Sequence, residues 1–303
     1  MNNNETDQTT GDMNKTRPEA YSLSGTALYA IDFPEEVKTR YLSNLDEAEE
    51  RFRNNPDDED ALVWYGRRLG YLTRYQEAIK VFSDGLARFP SSHILLRHRG
   101  HRYISIRKFE NAVEDFARAD ELSTGLPDEL ERDGEPNKAG IPLSTVRFNI
   151  LYHLGLSYYL QGDFESALPV YQRCMEYSRN NADSLVATTD WLYMTLRRLG
   201  RHDEAEKLLE PISADMEIIE NEAYFHRLLM YKGEKTPEDL LGAPSTAHHD
   251  TATHGYGIGN WHLCSGRKDK AVEVFKMVID SGFWPAFGFI AAEADLFRPG
   301  ALD

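Results

Sequence analysis

The sequence predicts an all-α protein, a solenoid of stacked antiparallel helix pairs, and three observations predict it. The stretch from Ala61 to Ala119 passes twice over one template: Gly66, Leu69, Tyr75, Ala78 and Phe82 return as Gly100, Tyr103, Phe109, Ala112 and Phe116, each 34 positions on. The template returns again as Gly155, Tyr158, Phe164, Ala167 and Tyr171, and near the C-terminus as Gly259, Ala271 and Phe275. A composition of 41% hydrophobic and 28% charged residues suits a folded helical protein rather than a disordered one. Small residues let two helices approach closely, and the aromatics fill the groove between neighbouring pairs. One such pair cannot bury its apolar face alone, so it must stack on another.

Taken in order, residues 1–25 are rich in Asn, Thr, Asp and Glu and read as a disordered arm. Within 26–58, Phe33-Pro34-Glu35-Glu36 opens a helix, with proline near its first turn and acids facing the positive end of the helix dipole. Ala48 and Phe52 repeat the small-then-aromatic spacing, so this segment reads as a half-repeat closing the N-terminal end of the stack. Two repeats fill 59–126. The Pro-, Gly- and acid-rich segment 127–147 has no helical period and displaces the third repeat by 21 residues, the length of a functional or a disordered loop. Repeats three and four fill 148–219; in the fourth, Tyr193 replaces the small residue and Pro211 ends the second helix early. A degenerate repeat occupies 220–251, with a helix around Glu222 to Tyr231 and a short one begun by Thr236-Pro237. The last repeat spans 252–285, and 286–303 reads as a terminal helix and tail covering the open end.

The small residue of the first helix, the alanine of the second and the aromatic after it, at this period, resemble the tetratricopeptide repeat family. The phrase LLRHRGHRYISIRKF, 95–109, also resembles a group of bacterial tetratricopeptide proteins of undefined role. The resemblance covers about 59–285 and is poorest between 186 and 251. It implies a right-handed superhelix whose concave groove, lined by the first helices, binds a peptide or partner protein. One branch of the family holds a chaperone's C-terminal carboxylate in a clamp of Lys and Asn. Its positions here carry Val63, Arg67, His98, Asn149 and His153, so the required set is absent and a cochaperone role is disfavoured.

The chain has a formal charge of −16, yet Arg97, His98, Arg99, His101, Arg102 and Arg107 cluster within it. Projection onto the helices puts Trp64, Arg67, Tyr71, Arg97, His98, His101, Tyr152 and His153 near the groove side. Arginine offers planar bidentate donors to carboxylate or phosphate, and the aromatics add stacking and cation–π contact. These residues are the candidate ligand- or peptide-binding set, favouring an acidic peptide or a carboxylate. The competing reading has the same cations pairing with acids of adjacent helices and knitting repeats together. A small anionic ligand held in the groove is the alternative function.

A second cluster, His248, His249, Asp250 and His254, carries metal-ligating groups, but no HExxH or cysteine pattern accompanies it, and a capped helix start with loop histidines is the preferred reading, so no metal site is assigned. His98, His101 and His153 with Asp190 are groups capable of acid–base work, but no nucleophile motif, phosphate loop or dinucleotide fingerprint is present, so no catalytic residue is assigned and no cofactor is expected. Trp64 and Trp191 share a template position, read as packing or groove wall, and Trp261 and Trp284 fall in the last repeat and its exit, read as core or cap packing. Only Cys174 and Cys264 occur, with Cys174 at an apolar position as a buried thiol. The net charge disfavours nucleic acid and anionic lipid as partners. No apolar run of membrane-spanning length exists. The sequence starts without a basic-then-apolar leader, giving a cytoplasmic expectation, or an exported one if such a segment was removed. Oligomeric state is left open.

Overall fold

The computed structural model describes residues 17–179, 181–242 and 248–302, the side chains of 242 and 248–250 excepted. After a two-stranded antiparallel hairpin, β1 (Ala20–Tyr21) and β2 (Ala27–Leu28), helix α1 (Glu35–Asn54) leads into six successive helix pairs. The pairs are α2/α3 (Glu59–Tyr71, Tyr75–Arg88), α4/α5 (His93–Ser105, Phe109–Ser123), α6/α7 (Val146–Gln161, Phe164–Ser178), α8/α9 (Ala182–Arg198, His202–Leu208), α10/α11 (Glu222–Tyr231, Pro237–Gly242) and α12/α13 (His248–Cys264, Lys268–Asp280). A final helix, α14 (Phe287–Phe297), follows.

The template residues explain the pairing directly. A methyl group added at Gly66 would lie 2.3 Å from the Phe82 ring, and one at Gly100, Gly155 or Gly259 would meet Phe116, Tyr171 or Phe275 in the same way. Ala78, Ala112, Ala167, Ala205 and Ala271 are fully buried at the matching place of α3, α5, α7, α9 and α13. First helices begin on polar caps: Ser92 Oγ accepts from Leu95 N at 3.0 Å, Thr145 from Phe148 N at 3.2 Å and Asn181 from Ser184 N at 2.9 Å. Helix α9 has only seven residues before Pro211 intervenes, and α11 starts where Thr236 Oγ1 accepts from Asp239 N at 3.1 Å.

The turn between the two helices of a pair needs a left-handed residue. Gly162, Gly200 and Gly266 supply it with φ of 79°, 71° and 71°, but the first two pairs use Thr73 (φ 56°) and Arg107 (φ 63°). A side chain in that region costs on the order of 1 kcal/mol, so it persists where surrounding contacts fix it. Both residues have such contacts. Thr73 Oγ1 accepts from Ile31 N at 2.8 Å, and Arg107 pairs with Glu293 at 2.7 Å and donates to the Trp284 carbonyl at 3.0 Å.

Two features of the termini differ from the sequence reading. Residues 17–25, expected to belong to a disordered arm, find backbone partners: Gln76 Nε2 donates to the Glu19 carbonyl at 2.7 Å, and Leu23 N donates to the Glu293 carboxylate. Residues 1–16 lie outside the described residues. Helix α14 packs on α12 and α13 as a terminal cap does, but it also reaches α6 and lies along the inner wall. There Phe287 sits 5.3 Å from the His101 ring and 5.5 Å from the His153 ring, centroid to centroid, and Arg298 donates to the Leu160 carbonyl at 3.1 Å. The inner side of the C-terminal half is likewise filled. Arg227 and Asp190 form a fully enclosed ion pair at 2.8 Å, with Trp191, Tyr224 and Tyr256 around the guanidinium.

The 127–147 insertion is closed at its base by an antiparallel bridge between Leu130 and Thr145, with Glu131 N donating to the Ser144 carbonyl at 2.9 Å. It folds back over α2. Arg68 donates to the Gly134 carbonyl at 2.9 Å, Arg132 lies over the Trp64 ring at 5.4 Å, and Arg40 pairs with Glu135 at 2.9 Å.

Candidate functional site

Helices α2 and α4 are adjacent first helices, so residues one turn apart on each line a shared strip. That strip, with Glu131 of the insertion beside it, forms a half-open cavity of about 110 Å³ lined by Gly66, Arg67, Tyr71, Phe82, Arg97, His98, His101, Arg102 and Glu131. Five of the eight residues singled out from the sequence therefore meet in one place: Arg67, Tyr71, Arg97, His98 and His101. Arg102 and Glu131 join them. Glu131 stands in the insertion, where no helical period places a side chain, and Arg102 belongs to the basic cluster but not to the face that repeat projection assigns to the groove.

The charges around this cavity are unequally matched. Arg97 Nε lies 3.0 Å from Glu131, whose carboxylate also accepts from Asn149 Nδ2 at 3.0 Å. Arg67 has the Tyr71 hydroxyl at 3.3 Å and the Trp64 ring beneath it at 4.3 Å. Arg102 has the Tyr75 ring at 5.1 Å and, among the described residues, no carboxylate within ion-pair distance. Burial pushes the His98 and His101 imidazoles well below the usual histidine range, and the neighbouring arginines add to the effect, so both are neutral near pH 7. His98 Nδ1 accepts from Arg97 Nη1 at 3.1 Å, which puts the proton on Nε2.

The other three candidates fall elsewhere. Trp64 forms the outer rim, stacked against Arg67, Arg68 and Arg132. Tyr152 is not on a groove surface: its hydroxyl accepts from Trp191 Nε1 at 2.7 Å and meets the Tyr224 hydroxyl at 3.1 Å, inside the core. His153 is enclosed behind the cavity, its Nδ1 donating to the Asn149 carbonyl at 2.6 Å, with Phe116, His101 and Phe287 around its ring. Both stand on the first helix α6, but α14 and the packing of α6 against α8 make their face interior rather than groove. Asp190 is committed to Arg227 rather than to the histidines.

The side chains of His248, His249 and Asp250 lie outside the described residues. His254 is buried in α12, its ring 6.1 Å from that of His226. Among the described residues no group of three or more His, Cys, Asp or Glu side chains is placed to hold a metal ion. Cys174 is fully buried beside Thr188, and burial pushes its thiol up to about 12.

Comparison with known proteins agrees with the repeat pattern. Residues 148–181, the α6/α7 pair, match the family model of the tetratricopeptide repeat. A solved tetratricopeptide repeat protein from Parabacteroides merdae superposes with a TM-score of 0.51 at 15% identity, covering 84% of this chain and 93% of that one. YrrB, a tetratricopeptide protein with an unusual peptide-binding site, aligns at TM-score 0.44 and 17% identity over 78% of this chain and 93% of its own. A search of curated proteins finds no match in sequence. The chain has the fold of tetratricopeptide-repeat solenoids, stacked antiparallel helix pairs.

Proposed function

We propose that this protein is a non-catalytic binding scaffold, whose α2–α4 cavity takes an anionic group of a partner protein or peptide, an acidic side chain or a C-terminal carboxylate. The observation that carries the reading is Arg102, a half-buried cation that lines the cavity with no carboxylate in ion-pair range among the described residues. A guanidinium taken out of water without a counter-charge is costly, and an incoming carboxylate offsets that cost. The Trp64, Arg68 and Arg132 rim offers the adjoining contact surface for the rest of the partner.

A second reading, a small anionic ligand, is favoured by the way the insertion lies beside the cavity and α14 fills the inner wall beyond it. Calorimetric titration with acidic peptides, each with a free and an amidated C-terminus, separates the two. Peptide binding that disappears in Arg67→Met and Arg102→Met supports the scaffold. Peptides that fail to bind, or bind both variants as well as the parent, overturn it. No helix among the described residues is long and apolar enough to cross a membrane.

A further inference from the structure

The cavity's charge and size specify its ligand more narrowly than "anion". Its lining holds three guanidinium groups, Arg67, Arg97 and Arg102, against the single carboxylate of Glu131. With His98 and His101 neutral, the formal charge of the lining is +2. Glu131 is already engaged by Arg97 and Asn149, so it offsets Arg97 and leaves Arg67 and Arg102 as the uncommitted pair. Asp133 of the insertion lies beyond ion-pair distance of Arg67 and is not part of the lining; burial raises its carboxyl, against the lowering pull of Arg67 and with the repulsion of Glu131.

The hydrogen-bonding capacity points the same way. The Arg67 and Arg102 guanidinium forks present several N–H donors beyond the one Arg67 gives to Tyr71. The Tyr71 hydroxyl, which accepts from Arg67, keeps its own proton to donate. His98 presents Nε2–H on the cavity side, 3.9 Å from Glu131. The lining is thus rich in donors and poor in acceptors. A carboxylate offers two oxygens and one negative charge. A phosphate monoester offers three oxygens and close to two charges above its second pKa of about 6. The volume of about 110 Å³ holds a group of a few heavy atoms, well short of the roughly 300–1,000 Å³ of pockets that enclose whole drug-sized ligands.

Resting on the reading that this cavity receives an anion, we propose that its ligand is a phosphoryl dianion, bound between Arg67 and Arg102 with Tyr71 and His98 as further donors. The dianion has two sources, a phosphorylated side chain of a partner or a free phosphate compound, and the shared chemistry is the phosphate monoester.

The test titrates the full chain at low ionic strength with phenyl phosphate, inorganic phosphate, a phosphoserine peptide and its unphosphorylated form, and with acetate and an acidic peptide as carboxylate arms. Phosphate monoester binding is expected to exceed acetate binding at least about tenfold, and to weaken at least about tenfold in Arg102→Met. Arg67→Met, at a half-buried site, gives the same loss and serves if Arg102→Met fails to fold; the exposed Arg118→Met leaves binding unchanged. Affinity for phenyl phosphate falls as pH drops through its second pKa near 6, whereas affinity for acetate does not. A phosphopeptide that binds more tightly than phenyl phosphate identifies a protein source, and equal binding identifies a free compound. If acidic peptides bind in an Arg102-dependent way and phosphate does not, the phosphoryl assignment is overturned while the scaffold reading stands. If no anion binds, both fall.

Discussion

His153 makes the stability of the protein pH-dependent, and the size of the effect can be worked out. Its ring is enclosed by Phe116, His101, Phe287 and Tyr152, and burial, with Arg97 and Arg102 nearby, lowers its pKa from 6.5 to about 3. The folded state therefore keeps this ring neutral while the unfolded chain protonates it as pH falls below about 6.5. Between those two values the unfolded state binds one more proton, so stability falls as the solution is acidified. The slope is about 1.4 kcal/mol per pH unit. From about pH 7.5 to about pH 5, His153 alone removes roughly 2 kcal/mol, most of it below pH 6.5. His98 and His101 are shifted the same way and add to the loss. His153→Phe keeps an aromatic ring in the site and abolishes its titration. Urea unfolding of parent and variant at about pH 7.5 and about pH 5 measures the difference. The parent should lose about 2 kcal/mol more than the variant across that interval. Equal losses refute the claim that burial holds this ring neutral.

Two further predictions concern the helix along the inner wall. In Gly288→Ala the new methyl would lie 2.2 Å from the Ala252 carbonyl oxygen, a backbone atom of α12 that cannot rotate aside. Overpacking of this kind costs about 1–3 kcal/mol, read as a lower urea midpoint at unchanged slope. In Glu293→Gln the charge of Arg107, 3% exposed, loses its carboxylate. That leaves a buried cation uncompensated, at about 3–5 kcal/mol, and the Trp284 ring stacked on Arg107 reports it by fluorescence.

The stacking of pairs was legible because it is a local matter. Gly66 with Phe82, or Gly155 with Tyr171, is a contact within one pair and recurs at one spacing, so periodicity exposes it. The candidate cavity was legible as far as that periodicity reaches: Arg67 and Arg97 project from neighbouring first helices to one strip. What escaped depends on contacts between residues far apart in the chain. Glu131 arrives from an aperiodic loop. Tyr152 and His153 sit on a groove face by repeat geometry, but α14 returns across that face, and no spacing within a repeat encodes where a terminal helix goes. The left-handed turns at Thr73 and Arg107 carry a readable trace of it. Glycine stands at the matching place in later pairs, and a bulky residue kept there marks a side chain wanted for another contact.

The link between Leu23 and Glu293, 270 residues apart, changes how the whole molecule comes undone. In an open array each unit leans only on its neighbours, so the ends fray and melting spreads inward one unit at a time. Here the first two units are fastened to both tails, through Ile31 on Thr73 and through Trp284 and Glu293 on Arg107. Neither extremity is free to peel away first. Amide exchange at the two ends should then be as slow as in the middle, with the array giving way all at once, more like a globular domain than a chain of beads.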